Sequence, residues 1–407
     1  MNICIISMYY HPEPVARPHD LACILRQYGH EVRVITTLPN YPHGKIYSNY
    51  RQKLFRWEKI EGIDVFRIPN IISRSRSKLL RIISYSSFTI NAIIFGSMVI
   101  KDIDAIWTYQ IGLPGLIVAK WLCVPSIHEV QDLWPDWGVA SGMIHQKWIF
   151  HILNNQEKLL YKHSKKIVTI TRSFRNKLIQ KGVQSDKIEI ISNWANDRNF
   201  HAAAYDYKLA KMEGLSDYFN ITYIGNIGAA QSLDVIMEAA HLLADIKDLQ
   251  FVIIGDGVEK PRLEKKANEY RLKNVLFLGS RPQEKAALYM AMSDILFIHL
   301  KRDPIYEITI PSKTFGYLAS GKPILAAAEG ELAELIQRTK SGLVCKPEDA
   351  TGLAETARQF RKMTKKQRTA MGDAGIKAIN NFYSKKSLGK LYNHLFIDIT
   401  KRHYPEL

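Results

Sequence analysis

The chain opens with NICIISMYY (2–10), a near-continuous apolar run of the kind needed by a strand buried on both faces. A loop rich in Pro, His and Arg follows, then a helical stretch (about 18–28) stopped at Gly29, then EVRVITT. That is a βαβ opening. Further strands are predicted at 63–69, 104–110, 125–130, 166–171 and 187–192, with helices between them, one across 146–163. A second series then begins: NITYIGN, LQFVIIGDG, NVLFLGS, DILFIHL, KPILAAA and SGLVCKP. Amphipathic stretches such as LDVIMEAAHLLADI and KAALYMAMS precede its later strands. Two consecutive alternating series predict an α/β protein with two Rossmann-like, doubly wound domains. The junction falls near 193–207, giving domains at 1–195 and 200–384. The segment 385–407, helical over about 385–403, is expected to pack back on the first domain.

At 407 residues, each domain is large enough to bury a core. A hydrophobic share of 46% with 23% charged residues excludes a disordered or fibrous chain. Cys4, Cys23, Cys123 and Cys345 show no paired spacing, which argues against a disulfide scaffold or a zinc site and fits a reducing compartment. MNICIIS has no basic start and no cleavage-site pattern, so no signal peptide is expected.

Charge changes the picture. The balance is +17, and residues 1–200 hold 26 basic against 15 acidic side chains. An anionic partner is implied (nucleic acid, lipid head groups or a phosphorylated ligand), with a generally basic surface as the plainer reading. No acidic residue falls between Asp64 and Asp102, while Arg67, Arg74, Arg76, Lys78, Arg81 and Lys101 do. Apolar residues from Leu79 to Phe95 are interleaved, but Arg81, Asn91 and several serines interrupt them, so a spanning helix is not expected. Residues 65–101 read either as a surface that lies on anionic lipid or as two ordinary helices.

Several motifs could carry chemistry. Asp102-Ile103-Asp104 precedes its strand instead of ending it, so the pair reads as turn acids and no metal is expected. Gly225-Asn226-Ile227-Gly228 links a strand to a helix, where glycines let backbone approach a ligand, although a tight turn also needs them. Gly255-Asp256-Gly257 is similar, and Gly279-Ser280-Arg281 could offer main-chain groups to a planar base. The run from Thr309 to Pro323 places Pro311 in a first helical turn, with Thr309 or Ser312 as cap. Lys313 would then oppose the helix dipole unless an anion binds there, which makes a diphosphate seat. An ordinary cap with an outward lysine is the alternative. His128, Glu129, Gln131 and Asp132 end one strand, and His11 and Glu13 follow another, where α/β proteins bind ligands.

In this order MYYHPEP, PNYPHGKIY, EVQDLWPDWG, YIGNIGAAQSLD, VIIGDG, NVLFLGSRP and IPSKTFGYLASGKP resemble retaining glycosyltransferases of family 4. The resemblance covers nearly the whole chain. More narrowly, it is to the bacterial branch of O-antigen, capsule and exopolysaccharide assembly that includes the N-acetyl-L-fucosamine transferases. It implies a GT-B architecture, two Rossmann-like domains facing across a cleft. The second would bind a nucleotide-diphosphate sugar (UDP favoured, GDP second), and the first a polyprenyl-diphosphate-linked saccharide. It also implies a hexosyl or N-acetylaminosugar transfer without metal or cofactor, at the cytoplasmic membrane face and without nucleic acid. Lys313 with the amides at Pro311–Lys313 would neutralise the diphosphate. Gly225, Asn226, Gly228, Gly255 and Glu307 would line the donor, Ser280 and Arg281 the base; Glu13, His128 and Asp132 would orient sugar or acceptor hydroxyls. Three positions depart from the family pattern. Gly316 stands where a glutamate commonly holds the ribose, Ala229 where an arginine often follows GNIG, and Gln131 where many relatives have histidine. In the family that glutamate is commonly the second of two separated by seven residues; Glu307 lies near the place of the first, one residue out of register with Gly316. A sugar-nucleotide epimerase of the same fold and a non-catalytic basic binding protein are the alternatives.

Overall fold

A computed structural model describes residues 1–42, 44–51, 54–72, 78–99, 102–140, 144–195 and 200–401. They form two compact units: Met1–Ser192 with the C-terminal helix, and Asn193–Ser384.

The first unit contains β1 (Asn2–Ile6), β2 (Glu31–Thr37), β3 (Arg56–Ile60), β4 (Ile63–Ile68), β5 (Ala105–Tyr109), β6 (Ser126–Val130), β7 (Lys166–Thr169) and β8 (Ile188–Ile190). Their order is β3-β4-β2-β1-β5-β6-β7-β8. All neighbours are parallel except the β3–β4 hairpin. β1 is central, and Ile3, Cys4, Ile5 and Ile6 have no exposed surface, which accounts for the unbroken apolar run. Chain order reverses between β1 and β5, so the loops after these strands flank the switch point.

The strand β3 is absent from the expectation above, and it explains a correction. Arg67, counted there among lipid-facing cations, is fully buried. Its guanidinium donates to Glu58 Oε1 of β3 at 2.5 Å, to Thr37 O at 2.8 Å and to His11 O at 2.6 Å. Arg74, Arg76 and Lys101 lie outside the described residues. Lys78–Val99 forms one helix of 22 residues, not two. It buries Phe88 and Ala92 in the core and exposes Ile82, Ile83, Tyr85, Ile90 and Ile94. No helix among the described residues is long and apolar enough to cross a membrane. Asp104 behaves as a turn acid, accepting from the Asn2 N–H at 2.7 Å.

The C-terminal helix Lys385–Lys401 lies along the helix Ala16–Gln27 of the first unit. Gly389 permits the approach, because a Cβ there would come within 2.5 Å of Ile24 Cγ2. Lys385 pairs with Asp20 at 3.0 Å.

The second unit contains β9 (Phe219–Ile224), β10 (Leu249–Ile254), β11 (Val275–Gly279), β12 (Ile295–His299), β13 (Ile324–Ala327) and β14 (Gly342–Cys345). All are parallel, in the order β11-β10-β9-β12-β13-β14. Here the reversal lies between β9 and β12.

Candidate active site

In the second unit, Gly225 leaves β9 at φ +147° beside that reversal. A Cβ there would sit 2.6 Å from Lys313 Nζ, so glycine is what lets the ammonium reach the backbone. Lys313 begins the short helix Lys313–Ala319. Its Nζ donates to Tyr223 Oη at 2.7 Å and lies 3.9 Å from the centre of that ring. Tyr223 in turn donates to Asn226 O at 2.5 Å. One turn on, Tyr317 Oη accepts the Ile224 N–H at 2.8 Å and faces Ile224 O at 3.1 Å, locking the helix onto the end of β9. The ammonium is therefore aimed by packing. Burial lowers Lys313 from 10.5 to about 7, and the start of a helix also disfavours a cation. An arriving anion would reverse both effects.

The other glycines hold the neighbouring loop. Gly225 N–H donates to Ile254 O and Ile227 N–H to Asp256 O, each at 2.9 Å. A Cβ on Gly255 would lie 1.9 Å from Gly225 O, and one on Gly257 2.1 Å from Ile227 O. Their absent side chains allow the loops after β9 and β10 to zip together.

In the first unit, Glu13 ties the loop after β1 to the loop after β2. Its Oε2 accepts from Tyr10 N at 3.0 Å, and its Oε1 accepts from Asn40 N and Tyr41 N at 2.8 Å each. Burial pushes the carboxyl up, against the three N–H bonds that pull it down. Asp132 is exposed after β6 and accepts from Gln110 at 3.5 Å; nearby protein raises its carboxyl by desolvation. Behind them lies a fully buried ion pair. Glu129 Oε1 accepts from Arg17 Nε at 2.7 Å and from Gln131 at 2.6 Å. Tyr392 of the C-terminal helix donates to Glu129 Oε2 and accepts from Arg17 Nη2 at 2.8 Å.

Comparison with known families divides the chain at the same boundary. Residues 14–194 match the Glycosyl transferase 4-like domain, and residues 210–378 match Glycosyl transferases group 1. The protein is a glycosyltransferase of the GT-B fold. It is 29% identical over 378 residues to the putative colanic acid biosynthesis glycosyl transferase WcaI of Escherichia coli K12, covering 88% of this chain and 92% of WcaI. It is 26% identical over 239 residues to the probable glycosyltransferase WbjE of Pseudomonas aeruginosa, 58% of each chain. In fold it matches Anabaena Alr3699/HepE, solved with UDP and glucose, at a TM-score of 0.72 and 14% identity over 98% of this chain and 99% of that one.

Within this glycosyltransferase, the structure brings Lys313, Gly225 and Asn226 together through Tyr223, a strand residue that the sequence did not single out. Gly228 N–H donates to Gln231 Oε1 at 3.2 Å and shapes the same loop. Other expected residues stand differently. Pro311 precedes the helix instead of entering its first turn; Ser312 occupies the cap position without a side-chain cap bond. Thr309 Oγ1 instead donates to Ile305 O at 2.8 Å. The Arg281 side chain is held by Glu213 at 2.9 Å and Tyr289 at 2.8 Å, while Ser280 is exposed beside it. Glu307 is exposed, and its carbonyl lies against Gly330. Gly316 packs under Phe200, where a Cβ would come within 2.9 Å of the ring.

His128 requires a correction. It is buried, it pairs with Thr108 Oγ1 at 2.9 Å, and burial lowers it to about 3. Gly112 closes over it, since a Cβ there would lie 2.5 Å from Nδ1. Held by Thr108 under Gly112, this neutral core histidine is not presented to orient a sugar or acceptor hydroxyl. Strand alternation sends Glu129 to the other face, and that acid belongs to the Arg17 pair.

Proposed function

We propose that this glycosyltransferase is retaining and metal-independent. It would move a hexosyl or N-acetylaminosugar from a UDP-sugar, with GDP-sugar second, to a polyprenyl-diphosphate-linked saccharide in bacterial surface polysaccharide assembly. The observation that supports this most is the desolvated Lys313 ammonium on Tyr223, beside Gly225 at the switch point. A diphosphate seated there meets a fixed cation in a water-poor place, where charge stabilisation is strongest. Lys313 would counter the charge that grows on the leaving phosphate as the glycosidic bond to the diphosphate breaks. The acceptor hydroxyl would attack from the face of departure, its proton passing to the leaving phosphate oxygen, and the anomeric configuration would be kept. Asp132 and the loop tied by Glu13 would orient acceptor hydroxyls.

The relatives favour this setting: WcaI is described as a putative colanic acid biosynthesis glycosyl transferase, and the HepE structure holds UDP and glucose. The enzyme would work at the cytoplasmic membrane face, with the exposed apolar side of Lys78–Val99 against lipid.

The test is a panel of UDP-, GDP-, CMP- and dTDP-sugars, each with and without a lipid-linked acceptor, in buffer containing EDTA. Acceptor-dependent product with retained anomeric configuration is expected. Conversion of the donor without acceptor would favour an epimerase, and activity lost in EDTA that Mg²⁺ or Mn²⁺ restores and Zn²⁺ does not would overturn the metal-independent mechanism.

A further inference from the structure

A second cluster of ligating side chains lies in the first unit, apart from Lys313. His19 and Cys23 stand one turn apart on the helix Ala16–Gln27 and so share a face. The β3–β4 hairpin brings Glu61 to them. Ile60 pairs with Ile63, leaving Glu61 and Gly62 as a two-residue turn with φ +48° and +78°, the left-handed pair that a type I′ turn requires. Arg26 fixes this turn to the helix by donating to Glu61 O.

The three ligand atoms form a nearly regular triangle. Cys23 Sγ lies 3.7 Å from His19 Nε2 and 3.4 Å from Glu61 Oε2, and Nε2 lies 3.5 Å from Oε2. Tetrahedral zinc, with bonds of about 2.0–2.3 Å to N, O and S, sets these edges at roughly 3.4–3.6 Å. The supporting contacts also fit. Tyr10 Oη sits 2.9 Å from His19 Nδ1, so Nδ1 can keep its proton and turn Nε2 toward the ion. The His11 ring stacks on His19 at 4.7 Å. A thiolate and a carboxylate balance the charge of a divalent ion, and exposed Glu61 leaves the fourth position to water.

We propose that His19, Cys23 and Glu61 bind one Zn²⁺, clamping the β3–β4 hairpin to the helix that carries Arg17. The ion is structural and takes no part in the transfer reaction. The proposal departs from the cysteine spacing, which argued against a zinc site. Coordination releases the Cys23 thiol proton to solvent.

The test uses full-length, EDTA-stripped protein. Cobalt(II) titration should give tetrahedral d–d bands and a thiolate-to-metal charge-transfer band at one equivalent, displaced by Zn²⁺. Zinc should raise the melting temperature of the wild type by several degrees. Cys23→Ser should abolish the charge-transfer band, and Glu61→Gln, at an exposed turn that the fold tolerates, should weaken zinc at least tenfold. An unchanged band in Cys23→Ser would place the ion on another cysteine and overturn the proposal. So would equal zinc affinity in Glu61→Gln, or wild-type protein that shows no thiolate band.

Discussion

Replacing Lys313 with methionine keeps the aliphatic stem and removes the ammonium. The reasoning above demands two opposite effects from this one change. The fall from 10.5 to about 7 sets the energy of holding the charge in place. At about 1.4 kcal/mol per pH unit, that is an upper limit of about 5 kcal/mol. Lys313 is only partly buried, so water recovers some of this, and a gain of about 2–4 kcal/mol is expected for Lys313→Met. An amine whose folded pKa lies below its unfolded one binds fewer protons when folded. Stability therefore rises with pH from about 7 towards 10.5, and the penalty is fully present below 7. Denaturant unfolding at pH 6, 7, 8.5 and 10 should show the variant's advantage largest at pH 6 and shrinking through the series. The same variant should bind UDP at least a hundredfold more weakly by calorimetry. A residue that destabilises the fold while serving the ligand has this signature. Lower stability at neutral pH, or unchanged nucleotide affinity, would refute it.

Gly225→Ala should displace the Lys313 ammonium and lower nucleotide affinity about tenfold or more in the same calorimetric assay, since its Cβ would lie 2.6 Å from Nζ. Arg17→Met should destabilise the first unit by about 3–5 kcal/mol in thermal unfolding by leaving Glu129 buried alone, and Arg17→Met with Glu129→Leu should recover much of that loss. His128, lowered to about 3, should show no imidazole titration between pH 5 and 8 in NMR spectra, so a midpoint near its ordinary value would contradict its burial. Glu13→Gln should cost about 1–3 kcal/mol, read as a lower unfolding midpoint, because its amide would meet the Tyr10 N–H donor-to-donor.

Apolar runs gave both sheets away, because parallel strands covered on two faces tolerate little polar alternation. RWEKI hid β3 for the converse reason: three of its five residues are charged, and as an edge strand it buries none of them fully. Missing β3 made Arg67 look like a surface cation, because its partner Glu58 lies there. The diphosphate seat was half legible. Lys313 and Gly225 stood out by motif, but Tyr223 is a strand residue whose hydroxyl matters only once the chain has brought it to Lys313. Likewise, the Arg17–Glu129 pair joins residues 112 apart, which no local pattern announces. His19 and Cys23 stand four residues apart, but Glu61 lies 38 residues beyond Cys23, and only the hairpin brings it to them.

Tyr392 completes the hydrogen bonding of Arg17 and Glu129 from a segment made only after the second unit. The nascent amino-terminal half thus emerges with a helix flank and a buried-to-be guanidinium still awaiting their cover, while the intervening half can fold as soon as it appears. Maturation of the first unit therefore waits for synthesis of Lys385–Lys401. A fragment ending at residue 192 would be born with an exposed groove along Ala16–Gln27 and a strong tendency to associate.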